Sequence, residues 1–209
     1  MQKFETVKSK VIPLRMNDVD TDQIIPAQFL TSVLKDGYGE NLFRRLKNED
    51  PNFPMNKPEY KGAEILVAGY NFGCGSSREH AVWAIAGAGI KVVIAESFAD
   101  IFFNNSAKNG LLLVVLPKEA VAKLQNCSEE VSVDLESQTV KTSSGESFKF
   151  DYDPFRKYCL TGGLDDIDYI LTCEEEIDQF RSENSKSWMK LGGDKSKTSE
   201  SKPVQLSAS

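Results

Sequence analysis

Residues 71–80 (NFGCGSSREH) form a glycine- and serine-rich segment between two apolar runs, and this succession constrains the fold more than any other feature. The run before it, residues 64–70, has the branched apolar composition that is typical of a buried β-strand. The run after it, residues 81–86, is a good helix former and apolar almost all round, which indicates a helix covered on several sides. The segment is therefore predicted to be a strand, a turn and a helix whose first N–H groups could bind an anion.

Ser76 and Glu79 have the spacing of a capping box, in which Ser76 would be the N-cap of this helix. A cap needs only one hydroxyl, however, and Ser76 is followed by Ser77. Arg78 would fall in the first helical turn, where the helix dipole disfavours a cation by roughly a few tenths of a kcal/mol. A basic residue placed against this preference favours a site that binds an acid or activates an anion over a simple cap.

Size and charge exclude several classes of protein. The 209 residues, 40% of them hydrophobic, suffice for one compact domain but are few for two. A formal net charge of −6 without a basic stripe argues against nucleic-acid binding, and no apolar run is long enough to span a membrane. Because the first residues lack the apolar core of a signal peptide, we expect a cytoplasmic protein. We expect the domain to comprise residues 1–190 and residues 191–209 to be a disordered tail.

The cysteines do not suggest a metal centre within the chain. Cys74, Cys127, Cys159 and Cys173 are far apart and form no C-x-x-C pair, which argues against an iron–sulfur cluster, a structural zinc site and a disulfide framework. We therefore expect no metal ligand in this chain.

Three aspartates at alternate positions, Asp18, Asp20 and Asp22, begin like a calcium-binding loop. Gln23 stands at the position of the turn glycine and Phe29 at the final acidic position, so a calcium site is not expected. We interpret the aspartates as loop and helix-entry residues, with Asp22 as a candidate for orienting the site.

The order of apolar segments predicts an α/β fold. Residues 64–116 alternate strand–helix–strand–helix–strand, which predicts a mainly parallel core sheet with helices on its faces. Alternating residues at 131–135 and 148–150 predict additional antiparallel strands around a turn at 143–145. The other predicted elements are a first strand at 7–14 and helices at 26–34, 39–46, 97–108 (capped by Ser97), 117–125, 154–160 and 174–183.

Residues 75–81 resemble the active-site segment of the swivelling domain of aconitases and isopropylmalate isomerases. Residues 20–26 and 28–30 resemble the early loop of the bacterial isopropylmalate isomerase small subunits. Further similar segments lie at 91–102, 105–112 and 153–165, so that the resemblance covers about residues 5–189 in one order. It implies a single swivelling β/β/α domain.

The resemblance also implies an activity. It is that of a hydro-lyase that interconverts 2- and 3-isopropylmalate through 2-isopropylmaleate in leucine biosynthesis, in a heterodimer with a large subunit that carries a [4Fe–4S] cluster. It makes Ser76 the proton-transferring residue, while Ser77 and Arg78 hold a substrate carboxylate. A serine can act as a base only as an alkoxide, which N–H donors and the nearby cation would stabilise.

Other residues are expected to support or select the substrate. Asp22, Gly75 and His80 are candidates for holding the site, although a packed histidine explains His80 about as well. Substrate choice is expected from the loop that contains Gln28, Phe29, Leu30 and Thr31. Aconitases have an arginine in this region for a third carboxylate, whereas this chain has none between positions 22 and 44.

The apolar residues of this loop suit a branched alkyl group, and they are equally consistent with core positions of a short helix. A smaller substrate such as methylmalate or citraconate stays open. Two other functions also stay open, a nucleotide-binding domain and a non-catalytic scaffold. Gly73-x-Gly75 after a strand, with Glu96 downstream, is similar to a dinucleotide fingerprint, but Arg78 stands where the third glycine is needed.

Overall fold

The computed structural model describes residues 1–30 and 37–183. Two compact units divide the chain, Met1–Tyr169 and Ile170–Ser209. The strands are β1 (Val7–Ser9), β2 (Val11–Pro13), β3 (Ile65–Val67), β4 (Val92–Ala95), β5 (Leu112–Val115), β6 (Val131–Asp134), β7 (Thr139–Thr142) and β8 (Ser147–Lys149). The helices are α1 (Thr21–Ile24), α2 (Arg44–Glu49), α3 (Glu79–Gly87), α4 (Asp100–Lys108), α5 (Lys118–Gln125), α6 (Pro154–Gly162), α7 (Asp166–Thr172) and α8 (Glu174–Glu183).

A four-stranded parallel sheet of order β2-β3-β4-β5 forms the centre of the first unit. Helix α3 connects β3 to β4, and α4 connects β4 to β5, which confirms the predicted α/β alternation. The register aligns Leu66 with Val93, and Val93 with Leu113. Because almost every residue of these strands is buried, both faces of the sheet are covered, as is usual for parallel sheets.

Alternate strand residues point into two different cores. Leu66, Val93 and Leu113 belong to one core together with the apolar side of α3. Their neighbours Ile65 and Val92 belong to the other core, which contains residues of β6, β7, α5 and α6. The parallel sheet therefore lies between a helical layer and a layer built largely from a second sheet.

The second sheet is antiparallel and has the order β1-β6-β7-β8. Strands β6 and β8 confirm the predicted antiparallel segments, whereas β7 was not predicted. The turn between β7 and β8 contains Gly145, whose N–H donates to the Thr142 carbonyl at 3.0 Å.

The prediction of one strand over residues 7–14 is wrong, because the segment divides at the exposed Lys10. The part before Lys10 pairs with β6 in the antiparallel sheet, and the part after it pairs with β3 in the parallel sheet. Ser9 stabilises the change of direction: its hydroxyl donates to the Lys10 carbonyl at 2.9 Å and accepts from the Glu64 N–H at 2.8 Å.

The predicted helix at 39–46 is interrupted at Phe43, a buried residue with φ of 49°, between a 3-10 turn (Tyr38–Asn41) and α2. Of the helix predicted at 26–34, the described part is a 3-10 turn, Ala27–Phe29. Helix α7 was not predicted, and α8 has the predicted bounds. The tail expected at 191–209 lies outside the described residues.

Candidate functional site

The loop between β3 and α3 is joined on one side to the segment that enters α1. Its Gly73 N–H donates to the Val19 carbonyl at 2.8 Å, and its Cys74 carbonyl accepts from the Thr21 N–H at 2.9 Å. The buried Thr21 side chain donates to the Ser76 carbonyl at 3.0 Å. These bonds fix the backbone immediately before the two serines.

The other side of the loop is joined to the segment that enters α4. Phe72 donates its N–H to the Ser97 carbonyl at 3.0 Å and accepts at its own carbonyl from the Ala99 N–H at 3.0 Å. The Ser97 hydroxyl accepts from the Asn71 N–H at 2.8 Å. The prediction that Ser97 caps the following helix is therefore wrong: Ala99 is the N-cap of α4 and makes no side-chain cap bond.

Gly73 allows the loop to turn tightly over α4. Its φ is +79°, and a Cβ atom on it would lie 2.2 Å from Cγ of Phe102. The face of Gly73 is thus covered by a buried aromatic ring. The two serines that follow, Ser76 and Ser77, are exposed.

The structure excludes the capping box at Ser76 and Glu79, which the sequence argument had weighed and disfavoured. Helix α3 begins at Glu79, its N-cap is Arg78, and no side chain caps it. Glu79 instead accepts a hydrogen bond from Asn109 Nδ2 at 2.8 Å. The Ser76 hydroxyl is therefore not used by the helix start.

Arg78 has a resident counter-ion. Its guanidinium donates to the carboxylate of Asp22 on α1, with 19% of the Arg78 side chain exposed and 56% of the Asp22 side chain. Helix α1 is itself fixed by a capping box, in which Asp20 accepts from the Gln23 N–H at 2.7 Å. The sequence argument required an anion near Arg78, and Asp22 supplies one from within the chain.

A cleft of ≈ 230 Å³ opens at the carboxyl ends of the parallel strands, beside this loop. It lies between the loop and the first turns of α4. The lining residues are Thr21, Gly73, Gly75, Ser76, Ser77, Arg78, Ala99, Asp100, Ile101, Phe102 and Asn105. The structure thus brings together Ser76, Ser77, Arg78 and Gly75 at one open cleft that combines hydroxyls and a cation with an apolar wall.

His80 and Cys74 flank the serines, and their surroundings limit the chemistry that each side chain can perform. The His80 ring contacts Tyr38 and Trp83 edge-on, with centroids 5.3 and 4.7 Å apart. Burial is the main cause that raises the pKa of the Cys74 thiol, with a further contribution from the negative charge of Asp20. Cys74 is therefore a protonated thiol near neutral pH, which argues against its use as a nucleophile.

The three aspartates at alternate positions make three separate contacts. Asp18 accepts from Asn71 Nδ2 at 2.7 Å, Asp20 caps α1, and Asp22 pairs with Arg78. Within residues 1–30 and 37–183, no group of three His, Cys, Asp or Glu side chains could hold a metal ion.

The residues expected to select the substrate do not line the cleft in the described part of the loop. Gln28 is exposed, and Phe29 and Leu30 are half-buried against the core that contains α3. Thr31 lies outside the described residues.

Sequence reasoning missed the contributions of Thr21, Ile101 and Asn105 to the cleft. The Asp20-x-x-Gln23 capping signal could have indicated that Thr21 begins a helix. Asn105 carries a weaker signal, since asparagine is an unfavourable residue inside a helix.

None of the helices in the described ranges is both long and apolar enough to cross a membrane.

Comparison with known proteins gives a consistent set of relatives. The family model "Aconitase C-terminal domain" matches residues 1–119, and the model "LeuD_N" matches residues 125–154. The 3-isopropylmalate dehydratase small subunit of Francisella tularensis subsp. novicida is 55% identical over 184 residues, which covers 86% of this chain and 97% of the relative. That of Ruegeria sp. is 49% identical over 201 residues, covering 90% and 100% of the two chains.

A solved structure is also similar. The crystal structure of a 3-isopropylmalate dehydratase from Methanocaldococcus jannaschii superposes with a TM-score of 0.64 at 30% identity. The match covers 85% of this chain and 99% of the other.

Proposed function

The chain belongs to the family of 3-isopropylmalate dehydratase small subunits, and from that premise we propose that it is the small subunit of an enzyme that isomerises 2-isopropylmalate to 3-isopropylmalate. The reaction removes and re-adds water through 2-isopropylmaleate, a step in leucine biosynthesis. The observation that carries the proposal is the open cleft in which Ser76, Ser77 and Arg78 stand together. We place the enzyme in the cytoplasm.

A large subunit would complete the site. Dehydration needs a group that accepts the departing hydroxyl, and the described residues of this chain offer no set of ligands for a metal. We assign a [4Fe–4S] cluster to the large subunit, where it would supply a Lewis acid. The cleft of this chain would face that subunit in a heterodimer.

Ser76 would transfer the proton at the carbon next to a carboxylate. Its side chain is exposed at the cleft and is not used as a helix cap. As an alkoxide it would be stabilised by the positive charge two residues away and by the uncapped N-terminus of α3. Thr21 would support this role by fixing the Ser76 carbonyl.

Ser77 and Arg78 would bind one substrate carboxylate. An arginine can bind a carboxylate through two parallel N–H bonds, and the adjacent hydroxyl can donate a third. Asp22 would hold the guanidinium in place, while Gly75 gives the backbone room to turn and His80 packs behind the loop.

Selection of the branched alkyl group is assigned to the loop that contains Gln28, Phe29, Leu30 and Thr31. The support is chemical: the loop offers partly exposed apolar surface and no arginine for a third carboxylate. Dinucleotide binding is disfavoured, because Arg78 stands where the fingerprint needs a third glycine for close packing of the helix on the strand.

The test is reconstitution. We expect the purified chain alone to be inactive, and the chain mixed with the iron–sulfur large subunit to interconvert 2- and 3-isopropylmalate. Parallel assays with citraconate and methylmalate as substrates decide the substrate class. Turnover by the chain without its partner would contradict the proposal, as would a reconstituted complex that prefers citraconate.

A further inference from the structure

Asn105 places an amide in the cleft wall opposite the serine loop. It lies on α4 one turn after Ile101, and both residues line the cleft. In the described part of the chain, the Asn105 side chain makes no hydrogen bond to another protein group. The preceding residue differs, because Asn104 is exposed and accepts from Arg156 Nη2 at 2.7 Å.

This amide is an unexpected choice for its position. Asparagine is unfavourable inside a helix because its side chain competes for backbone hydrogen bonds. Asn105 is half-buried, and no polar side-chain atom of the described residues is both buried and without a hydrogen-bond partner, so water in the open cleft can hydrate its amide. A ligand in the cleft next to Arg78 could take the place of that water as the partner of the amide.

The Asn109 side chain joins α4 to the start of α3 by hydrogen bonds. Its Nδ2 donates to the Asn105 carbonyl at 2.9 Å and to Glu79 Oε1 at 2.8 Å, next to Arg78. Its Oδ1 accepts from Trp83 Nε1 at 3.0 Å, within α3. The helix that carries Asn105 is thus tied to the helix that begins after Arg78.

The charges in the cleft call for additional neutral donors. Arg78 is the only cationic side chain among the described residues that line the cleft, and Asp22 already contacts it. Asp100 adds a negative charge to the lining. On this chain's side of the cleft, any further donors to a substrate with two carboxylates are therefore N–H or O–H groups that carry no charge.

We propose that Asn105 is a substrate-binding residue whose Nδ2 group donates to a carboxylate oxygen of the hydroxy-dicarboxylate, opposite the carboxylate held by Ser77 and Arg78. This inference rests on the proposed function. It adds a contact from α4, an element to which the sequence assigned no role in the site. The substrate is then held from both walls of the cleft.

The experiment compares substrate affinity among variants of the two-subunit complex. Every variant carries Ser76→Ala, which we call the background, so that turnover does not disturb the measurement. The dissociation constant of 2-isopropylmalate is measured by titration calorimetry for the background, Asn105→Ala, Asn105→Asp and the control Asn104→Asp. Asn104→Asp makes the same chemical change one residue away, outside the cleft lining.

We expect Asn105→Ala to weaken binding roughly tenfold or more, because a hydrogen bond to a charged group is lost. Asn105→Asp should weaken it further, since a carboxylate cannot donate and repels the substrate. Asn104→Asp should stay within about twofold, as surface changes usually do. Thermal unfolding of each variant checks that the helix is intact.

Equal affinities for Asn105→Asp and Asn104→Asp, with intact folding, would overturn the inference while leaving the proposed function in place. A background complex that still turns over at the original rate would refute proton transfer by Ser76, and the KM values of Asn105→Asp and Asn104→Asp in the reconstituted complex would then decide the role of Asn105. A background complex that does not bind 2-isopropylmalate at all would refute both proposals.

Discussion

The two sheets of the molecule contribute to one core but differ in what lies at the ends of their strands. In the parallel sheet the strands end in loops that turn outward, and the cleft residues follow β2, β3 and β4. In the antiparallel sheet β6, β7 and β8 are joined by short turns that satisfy their own polar groups, such as the Asp134 carboxylate accepting from the Ser137 N–H at 2.7 Å. No residue of the described antiparallel strands lines the cleft.

The difference follows from how each kind of sheet is connected. Parallel strands need crossovers through helices, so their carboxyl ends and the helix starts meet at one edge, where N–H groups and loop side chains collect. Antiparallel strands are joined by short hairpin turns, which leave few loop residues to line a cleft. Matched substitutions in the two regions therefore separate the chemistry of the chain from its stability.

The largest expected difference is between Ser76→Ala and Ser143→Ala. Loss of a positioned general base should lower the turnover of the reconstituted complex by about 10²–10⁴-fold. The melting temperature should not change, because Ser76 caps no helix. Ser143, whose hydroxyl donates to the Glu130 carbonyl at 2.8 Å, should tolerate the change without loss of turnover. Near-normal activity of Ser76→Ala would favour a non-catalytic scaffold.

Gly73→Ala and Gly145→Ala compare a glycine that packs against a neighbouring side chain with one that has empty space at its Cβ position. Gly73→Ala should lower the free energy of unfolding by about 2–5 kcal/mol, because a left-handed φ and overpacking against Phe102 add together. Gly145, with φ of +94° and no atom within 4 Å of its Cβ position, should lose only about 1–2 kcal/mol on the same change. Denaturant titration measures both, and equal losses would contradict the packing argument.

Arg78→Lys tests the anion site with the charge retained. We expect the KM for isopropylmalate to rise about tenfold with a smaller change in kcat, because lysine lacks the two-pronged geometry for a carboxylate. Arg156→Lys, on α6 outside the cleft lining, is the matched control and should leave KM unchanged. A KM that is unchanged in Arg78→Lys would remove Arg78 from the binding site.

The smallest effect is expected from Asp134→Asn. The N–H of Ser137 donates to this carboxylate and is the largest cause that lowers the pKa of Asp134. A carboxyl whose pKa is lower in the folded state stabilises the fold above its ordinary range and loses that contribution as the pH falls through the lowered pKa. Since the group is largely solvated, we expect the substitution to cost less than about 1 kcal/mol at neutral pH and to weaken the acid dependence of unfolding. Unfolding free energies at pH 7 and pH 3 provide the check.

The sequence was sufficient to predict the parallel part of the fold because its strands are buried on both faces. Runs such as residues 92–95 and 112–115 are continuously apolar, and helical segments separate them. The break at Lys10 was missed because each half is only three residues long, so that the alternating residues 7–9 and the apolar residues 11–13 were predicted as one strand. The two halves have different partner strands.

For the candidate site, three residues that the sequence singled out lie together in the structure, but their local geometry was not predicted. Ser76, Ser77 and Arg78 line the cleft, yet Arg78 is the N-cap of α3 and does not lie in its first turn, and Ser97 bonds to the loop instead of to α4. These outcomes depend on hydrogen bonds between segments that are distant in sequence, such as Asn71 with Ser97. Local spacing rules such as the capping box cannot anticipate such competition.

The ion pair between Arg78 and Asp22 has a consequence for how quickly a substrate can arrive. Since the positive charge in the cleft is balanced at short range and Asp100 stands beside it, this chain projects little field that would attract a dianion from solution. Its net charge of −6 acts in the same direction. In the proposed heterodimer, electrostatic acceleration of the encounter would come from the large subunit's side of the cleft, and salt would affect the encounter rate mainly through that side.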